Sequence, residues 1–271
     1  MRRLVASLIA VGSIFTAMQA SADQLADIKA KGVLVCGTLG TTEPFSFTNP
    51  ETRQLEGYDV DFCKSIADGL GVKLELKQIS VPARIPELIQ GRVDILAAAL
   101  GWTPERAQQI AYSDQYYLSL TKIAARHNDG FKDIYALSGK RISAPKGSTS
   151  EMAVKKVLPG SPTMTFQDPP AAFLALQQSK VDGIALGELM LVKYKNQLTG
   201  KDSIDILEPE IMVEHWGLGI RKDEPAFLGK VNEILGNMEK SGEAANIFDK
   251  WVGPNTAYKL QRSFTIKPIK E

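Results

Sequence analysis

The chain of 271 residues has only two cysteines, two histidines and no apolar run of the roughly 20 residues that a membrane-spanning helix requires. His127 and His215 stand far apart, and neither has the spacing of a metal ligand, so no metal centre and no resident cofactor is expected. Charge of one sign is lacking too: 32 Lys and Arg face 31 Asp and Glu, a balance that argues against a nucleic-acid binder. There is no Ser-His-Asp set, no GxSxG elbow and no carboxylate pair beside metal ligands. No Ser-, Gly- or Pro-rich tether interrupts the chain, so any lobes are joined by short crossings.

The first 22 residues are expected to lie outside the fold. Arg2-Arg3 is a basic start, Leu4–Met18 an apolar stretch and Ala20-Ser21-Ala22 a small-x-small cleavage site, the pattern of a secretory signal peptide. No cysteine follows the site, which argues against a lipid-anchored start. Cleavage removes Arg2 and Arg3, leaving 30 basic against 31 acidic side chains on about 249 residues, enough for two modest lobes. In an oxidising compartment Cys36 and Cys63 are either a disulfide or two small buried thiols; the sequence does not supply the Cα separation that decides.

Strands and helices alternate, which predicts an α/β fold with mostly parallel sheets. Strands are expected at Val33–Cys36, Val72–Ile79, Val93–Ala99, Thr121–Ala125, Arg141–Ala144, Met164–Phe166, Val181–Leu186 and Gly217–Arg221. Helices are expected at Tyr58–Leu70, Arg84–Gln90, Phe131–Leu137, Ser148–Val157, Ala171–Gln178, Glu188–Gln197, Ala226–Met238 and Gly242–Val252. Ser148-Thr149-Ser150-Glu151 reads as a capping box.

The richest stretch is Val93–Arg106, VDILAAALGWTPER. An apolar strand passes through a turn into a helix start that Thr103 can cap, with Pro104 at the first position, Glu105 at the positive dipole end and Arg106 in the first turn. Free backbone N–H groups and an arginine fork aimed at one spot make a carboxylate receptor. An ordinary strand–helix corner with a surface salt bridge is the alternative. Ala144–Thr149 repeats the device, and two such ends facing across a cleft would clamp one small anion.

These motifs resemble the polar amino-acid-binding family (family 3) of periplasmic solute-binding proteins of bacterial ABC transporters. Gly57-Tyr58-Asp59-Val60-Asp61-Phe62 with Ile66, Ala67 and Leu70 carries the likeness. So do Thr103–Arg106, Ala111–Tyr117, Arg84-Ile85-Pro86, Gly147–Thr149, Val181-Asp182, Trp216-Gly217 and Lys250-Trp251 with Gly253. The order holds over nearly all of Asp23–Gly253. The resemblance implies the two-lobed type II periplasmic-binding-protein fold, each lobe a mainly parallel sheet flanked by helices, with two hinge crossings. Lobe 1 takes 23–118 and 218–271, lobe 2 takes 119–217, and hinge closure captures the ligand. It further implies a periplasmic monomer that hands a small amino acid to an ABC permease.

Matched one by one, Arg106 stands where the family's arginine grips the ligand's α-carboxylate. Ala99 and Gly101 stand where main-chain and hydroxyl groups touch it, and Gly101 has no hydroxyl. Ser148 and Thr149 match second-lobe groups bonding the same carboxylate, or simply cap their helix. Arg84 matches a position used for acidic amino acids, although Leu39 replaces a second arginine common there. Thr42 replaces an aromatic wall, for which Trp102 is a substitute or a core residue. Gly187 is the main departure, since relatives carry an aspartate there that pairs with the ligand's ammonium. Glu188 is adjacent, and Glu43 and Glu214 are other partners. Either another carboxylate serves, or the ligand is a carboxylate or dicarboxylate lacking the amine. A third reading is an enzyme resembling cyclohexadienyl dehydratase, with Glu188 as a weak candidate acid.

Overall fold

A computed structural model describes residues 23–270; the expected signal peptide at 1–22 lies outside them. The two-lobed α/β fold is built on an eight-stranded sheet. Its strand order is Lys73–Gln78, Val33–Thr38, Ile95–Leu96, Ile204–Arg221, Ile110–Arg126, Gly183–Gly187, Ile142–Pro145 and Thr163–Phe166. The three strands at one end are parallel, as are the three at the other. Between them run two long antiparallel strands of 17 and 18 residues, which pair with each other in both lobes. The lobes thus share one sheet and two crossings.

Apolar side chains settle in several clusters. Leu34, Phe62, Ile66, Phe227, Val231 and Phe248 belong to the largest, under the first lobe. In the second lobe Ile123, Ala125 and Ala185 face one cluster while Ala124, Ile184 and Leu186 face another. That alternation is the period-2 signature of a sheet covered on both sides. The tail from Gly253 returns across the first lobe: Phe264 packs on Tyr117, and the Gln115 N–H donates to Lys267 O at 2.8 Å.

Several elements differ from the sequence-based expectation. The apolar run Val93–Ala99 pairs regularly only at Ile95–Leu96, because Ala99 turns into the left-handed region at φ 47°. Thr121–Ala125 and Gly217–Arg221 are the ends of the two long strands, whose inner halves read as irregular because Glu208-Pro209-Glu210 interrupts the alternation. That tripeptide lies in the register shift between Leu207 and Met212. Phe131–Leu137 forms only a 3-10 turn at Ile134–Leu137, started by Asp133 accepting from Tyr135 and Ala136 N–H groups. At Thr149–Val157, Ser148 caps the Glu151 N–H as expected, but the Glu151 carboxylate returns to the Gly147 N–H, one residue before the position a capping box uses. The helix Tyr58–Leu70 matches its expected bounds, held between Gly57 and the left-handed Gly71.

Cys36 and Cys63 form a disulfide with Cα atoms 6.1 Å apart, tying the Val33–Thr38 strand to the Tyr58–Leu70 helix. Both sulfurs lie in the main core. The bridge closes a loop with a sequence separation of 27, which corresponds to about 3–4 kcal/mol of lost unfolded-state entropy. Cys36→Ala/Cys63→Ala should lower the urea-unfolding free energy by that amount, and a loss below about 1 kcal/mol would contradict this account.

Candidate binding cleft

The cleft begins with a buried carboxyl. Asp59, in the first turn of its helix, is fully buried. Its Oδ2 accepts from the Ala99 N–H at 2.9 Å and its Oδ1 from the Tyr116 hydroxyl at 2.7 Å. Burial pushes this carboxyl up to about 7, against the opposing pull of Tyr116, Ala99 and the nearby Arg84 charge. The bond fixes Ala99 in a conformation that costs a non-glycine residue about 1 kcal/mol. In that turn the Ala98 and Ala99 carbonyls face Arg84.

Arg84 is 4% exposed. Its Nε donates to Val81 O at 3.0 Å, Nη1 to Ala98 O at 3.0 Å and Ala99 O at 2.8 Å, and Nη2 to Gly147 O at 3.4 Å. Burial, and then the Arg106 charge, lower it to about 9. Arg106 is held by its helix start, where Thr103 Oγ1 accepts the Arg106 N–H. Its Nη1 donates to Gly101 O at 2.6 Å and its Nη2 to Gly147 O at 2.9 Å. Two cations of the first lobe therefore converge on one carbonyl of the second. Among the described residues neither guanidinium forms an ion pair with a carboxylate.

On the inner side of these groups lies a cavity of about 40 Å³, bordered by Leu39, Thr42, Arg84, Ala99, Ser148, Thr149, Gly187, Met190, Glu214 and Trp216. On the outer side a more open chamber of about 460 Å³ is bordered by Ile85, Leu100, Arg106, Lys146 and Glu151. Thr42 Oγ1 is buried in the inner wall with no hydrogen-bond partner among the described residues. Glu214, 3% exposed, accepts from the Thr121 hydroxyl on Oε1, and from Thr149 Oγ1 at 2.6 Å and Trp216 Nε1 at 3.2 Å on Oε2. This contact ties the Thr149 helix start to the long strand Ile204–Arg221 that carries Glu214.

The structure thus gathers Arg84, Ala99, Thr42, Ser148, Thr149 and Gly187 around one cavity, with Arg106 and the Gly101 carbonyl beside it. Trp102 borders neither chamber: it is half-buried, and its backbone N–H donates to His215 O. Glu188 borders neither chamber and pairs with Lys122 at 3.0 Å. Glu43 pairs with Lys193 at 2.7 Å. Sequence reasoning gave no cavity role to Met190 or Trp216, and it placed Asp59 only within a family motif. Glu214 entered the sequence reading only as one of several possible amine partners, because Ala99, Tyr116, Thr121 and Thr149, which bond the two buried carboxyls, lie 40, 57, 93 and 65 residues from them and leave no local trace.

Four comparisons bear on the cleft. The profile of bacterial extracellular solute-binding proteins, family 3, matches residues 34–254. The glutamine-binding protein GlnH of an ABC transporter from Bacillus subtilis is 30% identical over 244 residues, covering 87% of this chain and 86% of that one. An ancestral arginine-binding protein bound to arginine is similar in structure at a TM-score of 0.77, with 33% identity over 82% of this chain and 99% of that one. The ancestral amino acid-binding protein AncCDT-1, a precursor of cyclohexadienyl dehydratase, gives a TM-score of 0.77 with 29% identity over 84% of this chain and 98% of that one.

The Asp59 carboxyl carries a pH signature. Folded, it keeps its proton up to about pH 7, whereas its ordinary value is 3.8. Over that window the native state holds the extra proton, so this group's contribution to stability falls as pH rises. Thermal unfolding of wild type and Asp59→Asn from pH 4 to 8 should therefore show a difference that moves in favour of the Asn variant with rising pH. A difference constant with pH would refute the assignment.

Proposed function

Because the chain belongs to the bacterial extracellular solute-binding proteins of family 3, we propose that it is the substrate-capturing component of an ABC importer. It is exported by a cleaved signal peptide at 1–22, works as a periplasmic monomer and delivers a small amino acid to the membrane permease. Lobe 1 comprises 23–118 and 218–271, and lobe 2 comprises 119–217. The observation that carries the ligand reading is the convergence of Arg84 and Arg106, both buried, their guanidiniums donating to backbone carbonyls and, among the described residues, in no ion pair, beside the capped helix start at Ser148 and Thr149. A ligand carboxylate meets charge-assisted donors there from both lobes, and swapping the Gly147 carbonyl for a carboxylate strengthens each bond. Closure then follows from the ligand touching both halves.

Two buried cations also favour a ligand with a second acid group, and Gly187 supplies no partner for an amine. A dicarboxylate lacking the α-amino group is accordingly the second reading. Catalysis is not part of the proposal. Glu188, the candidate acid for a dehydratase, pairs with Lys122 and does not border the cavity, and the Bacillus subtilis relative is named for binding. Incubation with prephenate or arogenate should leave the absorbance of aromatic products at background.

Thermal-shift screening against the common amino acids and organic acids tests the ligand. A specific one at about 100-fold excess over Kd should stabilise the protein by about 2.7 kcal/mol. Arg106→Ala should weaken its binding about 100-fold or more by titration calorimetry, since a buried charged partner is lost. Binding at wild-type affinity in that variant, or no shift with any compound, would overturn the proposal.

A further inference from the structure

Resting on the reading that the cleft captures a carboxylate-bearing solute, we infer that Glu214 selects for a protonated amine on that solute. It performs from the hinge strand Ile204–Arg221 the pairing for which position 187 has no side chain.

The three donors to its carboxylate, the Thr121 and Thr149 hydroxyls and the Trp216 indole N–H, are all neutral. Among the described residues no ion pair reaches it. Arg84 is close enough to feel its charge, yet four of the five Arg84 N–H groups donate to carbonyls and none pairs with Glu214. An ionised carboxylate offers about four acceptor positions, so one remains free for a further donor. Removing a carboxylate from water is costly unless a charged partner meets it. This one borders the cavity itself.

The neighbouring backbone is cut to fit. A Cβ on Gly101 would stand 2.5 Å from Glu214 Oε2 and 3.1 Å from Thr149 Cγ2, so residue 101 lacks a side chain where the carboxylate lies. The carbonyl of that same glycine accepts from Arg106. The group that takes an anion and the group that takes a cation thus both lie against one glycine, Gly101. At Gly187 the nearest atoms to an added Cβ are Met190 Cε and Ser119 Oγ, both at 3.4 Å, so a small side chain is sterically admissible there.

The test is titration calorimetry of the common L-amino acids, each paired with the carboxylic acid lacking its α-amino group. Wild type should bind one amino acid about 100-fold more tightly than its partner acid. Glu214→Gln should lose about 100-fold toward the amino acid and stay within about threefold toward the partner acid; adding Gly187→Asp should recover at least about tenfold. If Gln at 214 unfolds the protein, as judged by circular dichroism, Glu214→Asp keeps the charge, withdraws it by one methylene, and should lower the same ratio. An equal loss toward both compounds, or an unchanged ratio, overturns the role of Glu214 while leaving the solute-binding reading intact. Wild-type preference for an acid without the amine does the same. No binding of any compound overturns the solute-binding reading itself.

Discussion

The hydrogen bond from the Ala99 N–H to Asp59 sets the geometry on which the cleft depends. It joins a helix start to a strand end forty residues away and holds Ala99 at a positive φ. That turn ends the regular pairing of Ile95–Leu96 and presents two carbonyls to Arg84. Arg84 in turn lies beside Arg106, close enough that the Arg106 charge helps to lower the Arg84 value. The Tyr116 hydroxyl on the same carboxyl extends the tie to a hinge strand. A fully buried acid is an expensive device, and here one residue aligns three elements.

Electrostatics and mechanics are coupled through the two long strands. Their shared pairing runs from Ile110/Arg221 in the first lobe to Arg126/Ile204 in the second, broken by the shift between Leu207 and Met212. Glu214 and Thr121 lie just beyond that break, and the Lys122 cluster with Glu188 and Glu208 lies beside it. Charged groups therefore flank the segment where the strands change register, on both the cleft side and the back.

Much of this was legible in the sequence where local physics decides. The Tyr58–Leu70 helix follows from its apolar period between two glycines, and the caps at Thr103 and Ser148 follow from side chains reaching N–H groups three residues on. The Val93–Ala99 run was overextended because alanines carry no mark of where pairing stops; a distant Asp59 decides it. The long strands were half hidden because Glu208-Pro209-Glu210 looks like a break and is instead a register shift. The same shift explains why Glu214 could be named but not placed. Each irregularity in a strand flips which face later side chains occupy, so alternation counted from sequence loses its phase there. Trp102 and Glu188 show the converse: neighbours of site residues in sequence that point elsewhere.

Arg84 and Arg106 both donate to the Gly147 carbonyl, which makes that peptide a resident competitor for the cleft's donors. Any solute that engages either guanidinium is exchanged against it, so observed affinity is a difference between two sets of bonds within the same site. A backbone carbonyl cannot be removed by side-chain substitution, and it moves only as its lobe moves. The strength of capture is thereby tied to the position of the second lobe through a group that no point mutation deletes, and tuning it falls to residues that aim the Lys146–Ser148 turn.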